Sequence, residues 1–296
     1  MHAFFMWAAF EFGFTYKRWE QSWHCTIKKL KDPLLPKLRR VQLFEGDFNA
    51  GLKYLIGKKM TSHMNKKNIH DPETFGSRSG KTAPEALVNL QLVFDHQRTW
   101  KLPVAILFND AVGCYDHIVP TLCELAMRDR GYPKEIAQCH TNTQKGMIHR
   151  IRITTGILER IIKFSLTNLK IVVDKTIICI QGKTGGIGQG GGAGPLAWIA
   201  VIDVMLEAYR KLNKGVEAID PLQLYSIFYW LISYVDGNTI VVSFGEAETK
   251  DKILKTIQSS LGSWRRILQL TGGGYRCRKI KMVHNEMEVL QIMGNS

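Results

Sequence analysis

Two aspartates stand where a carboxylate can meet a metal ion. Asp110 follows residues 104–108, Val-Ala-Ile-Leu-Phe, a short apolar run bounded by Pro103 and a polar turn that reads as a buried strand delivering Asp110 to its end. Asp236 lies within residues 227–242, where two strand-like runs flank Asp236-Gly237, a strong short-range hairpin signal. Each has a plainer explanation taken alone: Asp110 as the cap of a following helix, Asp236 as an ordinary turn residue. Two strand-end carboxylates set side by side in one sheet, however, share divalent cations through hard oxygen ligands and make a two-metal phosphoryl-transfer site.

The rest of the chain must carry those two strands. Its 296 residues suffice for one large domain or two, and hydrophobic residues at 45% exclude wholesale disorder. Lys plus Arg number 40 against 26 Asp plus Glu, a formal charge of +14. With a pI near 9.5 this predicts an anionic partner, nucleic acid first and a membrane surface second. No apolar run approaches the roughly 20 residues needed to span a bilayer, and residues 1–9 lack the basic lead and length of a secretory signal. An intracellular protein, nuclear or cytoplasmic and not membrane-bound, is expected. Cys25, Cys114, Cys123, Cys139, Cys179 and Cys277 form no Cys-x-x-Cys pair, so they read as packing thiols rather than a zinc cage or disulfide framework.

Along the chain, the aromatic residues of 1–23 (among them Phe4, Phe5, Trp7, Phe12 and Trp19) read as an irregular or helical lead-in packed as core, with base stacking the lesser alternative. A basic stretch, 28–40, is interrupted by Pro33 and Pro36 and suits an extended segment or hairpin, its cations facing phosphate or solvent. Helices are expected over 48–60, 84–97, 117–130, 196–212 and 247–270, the last strongly amphipathic. Residues 148–180 read as strand-rich, with 151–154, 171–173 and 177–180 the clearest runs, and 275–282 as a basic strand.

Two glycine loops invite a nucleotide reading. Residues 75–82, Phe-Gly-Ser-Arg-Ser-Gly-Lys-Thr, approach a phosphate loop, but Phe75 holds the first glycine position and no apolar strand leads in. Gly186-x-Gly188-x-x-Gly191 matches the dinucleotide fingerprint formally. The acid that should end a second strand about 20 residues on is absent, because Asp203 and Glu207 fall inside a helical pattern. Neither nucleotide reading explains Asp110 or Asp236.

Taken in order, these stretches resemble a reverse transcriptase domain of the retrotransposon type over about residues 19–279. The motifs are Arg39-Arg40-Val41 with the run Leu43 to Asn49; Phe75 to Ala83; and Asp110-x-x-x-Cys114-Tyr115-Asp116. Gly186-x-Gly188-Gln189-Gly190-x-x-x-Gly194-Pro195, Tyr234-Val235-Asp236-Gly237, and Thr271-Gly272-Gly273 with Lys279 complete the series. The resemblance implies an α+β right-hand polymerase fold, fingers and palm with the thumb largely missing. It divides the chain into an aromatic lead-in (1–18), a fingers-like region (19–103), a first palm part (104–145), a fingers/palm connection (146–185) and a second palm part (186–296).

Residue by residue, it implies that Asp110 and Asp236 hold two magnesium ions, with manganese as a substitute, for adding deoxynucleotides to a primer 3'-hydroxyl on an RNA or DNA template. Tyr115 matches the aromatic gate that excludes a ribose 2'-hydroxyl, and Gln189 and Gly190 the pair lining the nucleotide and template. Arg39 matches the cation that grips the deoxynucleoside triphosphate, and Lys279 a catalytic lysine near the pyrophosphate. Departures are equally plain: Gly237 replaces the second aspartate of the family's Tyr-x-Asp-Asp, Gly194 a small hydroxyl residue, and Gly188 a proline. Loss of one carboxylate beside the metals should weaken their binding. A catalytic fragment of a larger retroelement polyprotein, or a decayed copy that binds nucleic acid without extending it, are the two forms this implies.

Overall fold

The computed structural model describes residues 2–28, 38–112, 114–155, 158–165, 170–173, 176–179, 186–187, 190–220, 224–245 and 248–283. In chain order, α1 (His2–Phe12) is followed by β1 (Gln21–Lys28), β2 (Leu38–Phe44) and α2 (Gly46–Leu52), which continues through a π-helical stretch, Lys53–Met60, into α3 (Thr61–Lys67). Next come α4 (Ala83–Thr99), β3 (Val104–Val112), the short α5 (Cys114–His117), α6 (Pro120–Asp129) and α7 (Lys134–Gly146). Four strands follow: β4 (Ile148–Thr155), β5 (Leu158–Ser165), β6 (Lys170–Val173) and β7 (Thr176–Cys179). The chain continues with α8 (Gly194–Leu212), β8 (Val216–Ile219), β9 (Ser226–Tyr229), β10 (Leu231–Tyr234), β11 (Gly237–Ser243), α9 (Lys250–Leu270) and β12 (Gly274–Val283). Helix starts follow local chemistry. The Thr82 hydroxyl accepts the Glu85 amide at α4, with proline in its first turn, and the Thr249 hydroxyl accepts the Lys252 amide at α9.

The chain forms two compact units, one from Met1–Lys67 with Tyr115–Ala200 and one from Asn68–Cys114 with Val201–Ser296. The first holds a six-stranded sheet of order β2-β1-β4-β5-β6-β7, in which β1 and β4 pair in parallel and the other neighbours are antiparallel. Its core includes Trp19, against which Phe10, Tyr16 and Phe48 stack with ring centroids 5.0–5.7 Å away. The leading aromatics depart from the expected core: within α1 only Ala9 and Phe10 are buried, and Phe4, Phe5, Trp7 and Phe12 are exposed. A helix buries one stripe, and here the rings lie on every side of it. The expected helix 117–130 also divides, because Pro120 has no amide to extend α5 and opens α6 instead. Burial pushes the Cys123 and Cys139 thiols up to about 12, as suits packing residues.

The second unit is built on an antiparallel four-stranded sheet, β10-β11-β3-β12, beside a two-stranded ribbon of β8 and β9. Val93, Val104, Val216 and Val241 pack as one buried cluster, and Tyr209 meets Trp264 edge to face at 5.8 Å. Two expectations change here. The strand begun at Val104 runs to Val112, so Asp110 lies inside β3 rather than at its end, because β12 continues the pairing as far as Val112 opposite Gly274. The first run of the expected hairpin breaks at Trp230, whose amide is taken by the Glu73 carboxylate at 2.7 Å. As a result β9 pairs with β8 and only β10 pairs with β11. Among the described residues no helix is long and apolar enough to cross a membrane.

Candidate active site

Asp110 lies on β3, and Asp236 lies in the turn that leads into its neighbour β11. In the register, Asp110 of β3 stands opposite Gly237 of β11 on one side and Arg276 of β12 on the other. Asp236 directly precedes Gly237, and its carbonyl accepts the Ala111 amide at 2.9 Å and the Asn238 side-chain amide at 3.2 Å. The Asp236 backbone is therefore tied to the strand that carries Asp110. Asp110 is half-buried and Asp236 exposed. The turn residues are Val235 and Asp236, not the expected Asp236-Gly237 pair, since Tyr234 and Gly237 are the last paired residues. Val235 has φ +57°, a position that two-residue hairpins normally give to glycine. A β-branched residue held there stores about 1–3 kcal/mol of strain, so its surroundings must fix it.

Much of that surrounding comes from residues that sequence reasoning passed over. Ser233 of β10 donates its amide to the Glu73 carbonyl at 2.9 Å and accepts the Phe75 amide at 2.8 Å, so residues 73–75 lie along the outer edge of the hairpin. Behind them Arg210 grips both oxygens of Asp71 and reaches Glu73 at 2.6 Å. The Glu73 carboxylate also accepts the Trp230 and Leu231 amides. Asp203, fully buried within α8, accepts from the Thr74 hydroxyl at 2.8 Å and faces His70 at 3.1 Å. Burial drives the Glu73 pKa upward against the opposing pull of the Trp230 amide and Arg210. Burial pulls Arg210 down, but Asp71 and Glu73 more than offset it and hold the guanidinium above its ordinary value. Paired acids two residues apart, Asp71 and Glu73, with an arginine on a later helix were the available signal.

Two carboxylates suit a hard divalent ion, which magnesium sites commonly build from one or two carboxylates plus water and substrate phosphate. Among the described residues no group of three or more His, Cys, Asp or Glu is placed to hold a metal.

Lys279 lies on β12 opposite Phe108, just past an irregularity in the register at Cys277. Tyr115, Gly190 and Arg39 belong to the first unit. Tyr115 is half-buried on α5, its carbonyl accepting the Ile187 amide at 2.8 Å and its ring 6.3 Å from that of Trp198. Gly186 passes so near that a Cβ there would lie 2.6 Å from the Asp116 Cα. Gly190 has φ +110°, and a Cβ on it would meet the Gln42 carbonyl at 2.7 Å, so glycine is required on both counts. Arg39 pairs with Ile27 across β1 and β2, and Gln189 lies outside the described residues. In loop 75–82, Arg78 is turned onto the carbonyls of Asp71 and Thr74, and Lys81 pairs with Glu85. Asp203 is likewise committed, to Thr74 and His70.

No protein-family model matches the sequence, and no curated protein matches it significantly. Solved structures do match the fold. Apo telomerase from Candida tropicalis, truncated from its C-terminal domain, aligns with a TM-score of 0.55 and 11% identity over 92% of this chain and 52% of that one. Telomerase from the same organism in complex with a TWJ fragment of telomeric RNA gives 0.56 and 9% identity, over 93% of this chain and 42% of that one. The corresponding complex from Candida albicans gives 0.50 and 10%, over 90% and 42%. This chain spans about half the length of the structures it matches. At such identities the likeness concerns the fold alone: a reverse-transcriptase-like polymerase fold of mixed helices and strands.

Proposed function

We propose that this chain is the catalytic part of an RNA-directed DNA polymerase of the retroelement type. The observation that carries the reading is the pairing of β3 with β11, which sets Asp110 across from Gly237 and binds the Asp236 carbonyl to Ala111, in a fold shared with telomerase. A formal charge of +14 supports a nucleic-acid partner, an RNA or DNA template with its primer.

In this reading Asp110 and Asp236 would hold two magnesium ions, or manganese in their place, and bound ions would supply Lewis-acid activation of the primer hydroxyl and charge neutralisation at the pyrophosphate. The hydroxyl oxygen bonds to the α-phosphorus, its proton passes to solvent, and the bond from the α-phosphorus to the bridging oxygen breaks, so that pyrophosphate leaves with that electron pair. Arg39 grips the triphosphate and Lys279 meets the pyrophosphate. Tyr115 collides with a ribose 2'-hydroxyl and so favours deoxynucleoside triphosphates, while Gln189 and Gly190 line the nucleotide and template. Further domains of a retroelement polyprotein would act beside it.

A second reading, a relic that binds nucleic acid without extending it, rests on Gly237 in the place of a second aspartate. Primer extension on an RNA template with magnesium or manganese separates the two, using the native chain, Gly237→Asp and Asp110→Ala. Extension by the native chain that Asp110→Ala abolishes is the expected result. Extension by Gly237→Asp alone marks an impaired enzyme, and silence in all three folded proteins removes the polymerase reading.

A further inference from the structure

Loop 75–82 only approaches a phosphate loop, and its glycine next to Phe75, Gly76, lies against protein backbone. A Cβ on Gly76 would sit 2.9 Å from the Cα of Val235 and nearer still to its nitrogen, closer than real Cβ atoms approach backbone. No side chain larger than hydrogen fits without shifting the Val235 turn. Val235 is the residue at φ +57°, and it immediately precedes Asp236. The loop cannot easily retreat: Phe75 is bonded to the Ser233 carbonyl, and Arg78 holds the Asp71 carbonyl at 2.7 Å and that of Thr74 at 2.9 Å. Behind it stand Arg210 with Asp71 and Glu73, and Asp203 with Thr74.

We propose that Gly76 is a positioning residue for Asp236, its bare backbone forming the wall against which the strained Val235 turn is pressed and the direction of the Asp236 carboxylate is set. The proposal rests on the polymerase reading of Asp110 and Asp236 given above. Gly76 touches no substrate; it acts through the turn.

The test is Mn2+ affinity, read by water-proton relaxation on the full chain, for the native protein, Gly76→Ala, Asp236→Ala and the double variant, with Asp110→Ala as reference and circular dichroism confirming the fold of each. Gly76→Ala is expected to weaken Mn2+ binding about tenfold, a size typical of lost support around a metal ligand. In the Asp236→Ala background it should cause no further loss, because residues acting through one group are not additive. Native affinity in Gly76→Ala, or an equal loss in both backgrounds, overturns the proposal. Should Gly76→Ala not fold, Val235→Gly passes through the same cycle: it adds no bulk and frees the turn, and unchanged affinity overturns the proposal equally. If the native chain shows no Mn2+ binding that Asp110→Ala removes, the polymerase reading falls and takes this proposal with it. Native binding that is indifferent to Gly76 defeats this proposal alone.

Discussion

Among the described residues, a Cβ built on Gly237 meets nothing closer than the Tyr234 carbonyl oxygen, at 3.5 Å, so packing there admits a side chain's first carbon. The register sets that position directly across from Asp110, where two like charges oppose each other at a cost of about 1 kcal/mol unless a cation lies between them. Gly237→Asp is therefore expected to fold, with a Tm about 2–4 °C below native in chelator, and to rise above the native chain when Mn2+ is added. Thermal melts with and without the ion check this, and an identical shift in both conditions would mean that no metal binds beside Asp110. At this scale the residue types were on the page: two aspartates after apolar runs, and a glycine where the resemblance implies a third acid. The conformation of Val235 was not, since nothing in a Val-Asp pair announces a positive φ. The neighbour that enforces it, Gly76, is 159 residues away in sequence.

Elements with a strong period or a clear cap were legible. The expected helices 84–97, 196–212 and 247–270 emerge as α4, α8 and α9, within a few residues at each end. β5 fell inside the strand-rich 148–180 stretch but was not picked out as a run, because Leu158–Ser165 alternates poorly and mixes charged with apolar residues. The break between β9 and β10 depends on a carboxylate from residue 73, which no local pattern contains. The clamp around that carboxylate is predicted to hold the hairpin. Arg210→Met leaves Asp71 and Glu73 buried without their cation and should cost about 3–5 kcal/mol in denaturant unfolding. A loss below about 1 kcal/mol would mean that the acids find other partners. In the first unit, His140 on α7 is buried, its Nδ1 has no hydrogen-bond partner among the described residues, and burial lowers its pKa to about 4. The folded state thus favours neutral imidazole. Its contribution is complete above the unfolded value of 6.5 and is lost as pH falls from there through about 4, up to about 3 kcal/mol. Unfolding measured across that window should show the decline and His140→Leu should flatten it; an unchanged slope in the variant would assign the decline to other groups.

For the molecule as a whole, charge was the clearest message in the sequence, and the polymerase-like fold followed from the order of weak motifs rather than from any one of them. The division into two interleaved units was hidden, because each is assembled from two distant segments and no composition shift marks the exchanges at 67/68, 114/115 and 200/201. If the excess of 14 positive charges serves a nucleic acid, affinity for a single-stranded RNA should fall about a hundredfold between roughly 50 and 200 mM salt, as for some five phosphate contacts. Salt-independent binding, or none, would assign that charge elsewhere. The central claim is that residues 110 and 236 form a nucleotidyl-transfer site, and incorporation of a single templated deoxynucleotide tests it most directly. The experiment compares Gly237→Asp with the same variant carrying Asp110→Ala, on one RNA template and primer with manganese. The account predicts addition of the complementary nucleotide by Gly237→Asp, at least about tenfold faster than by the native chain, and none once Asp110 is removed. No addition by folded Gly237→Asp, or addition that survives the loss of Asp110, would contradict it.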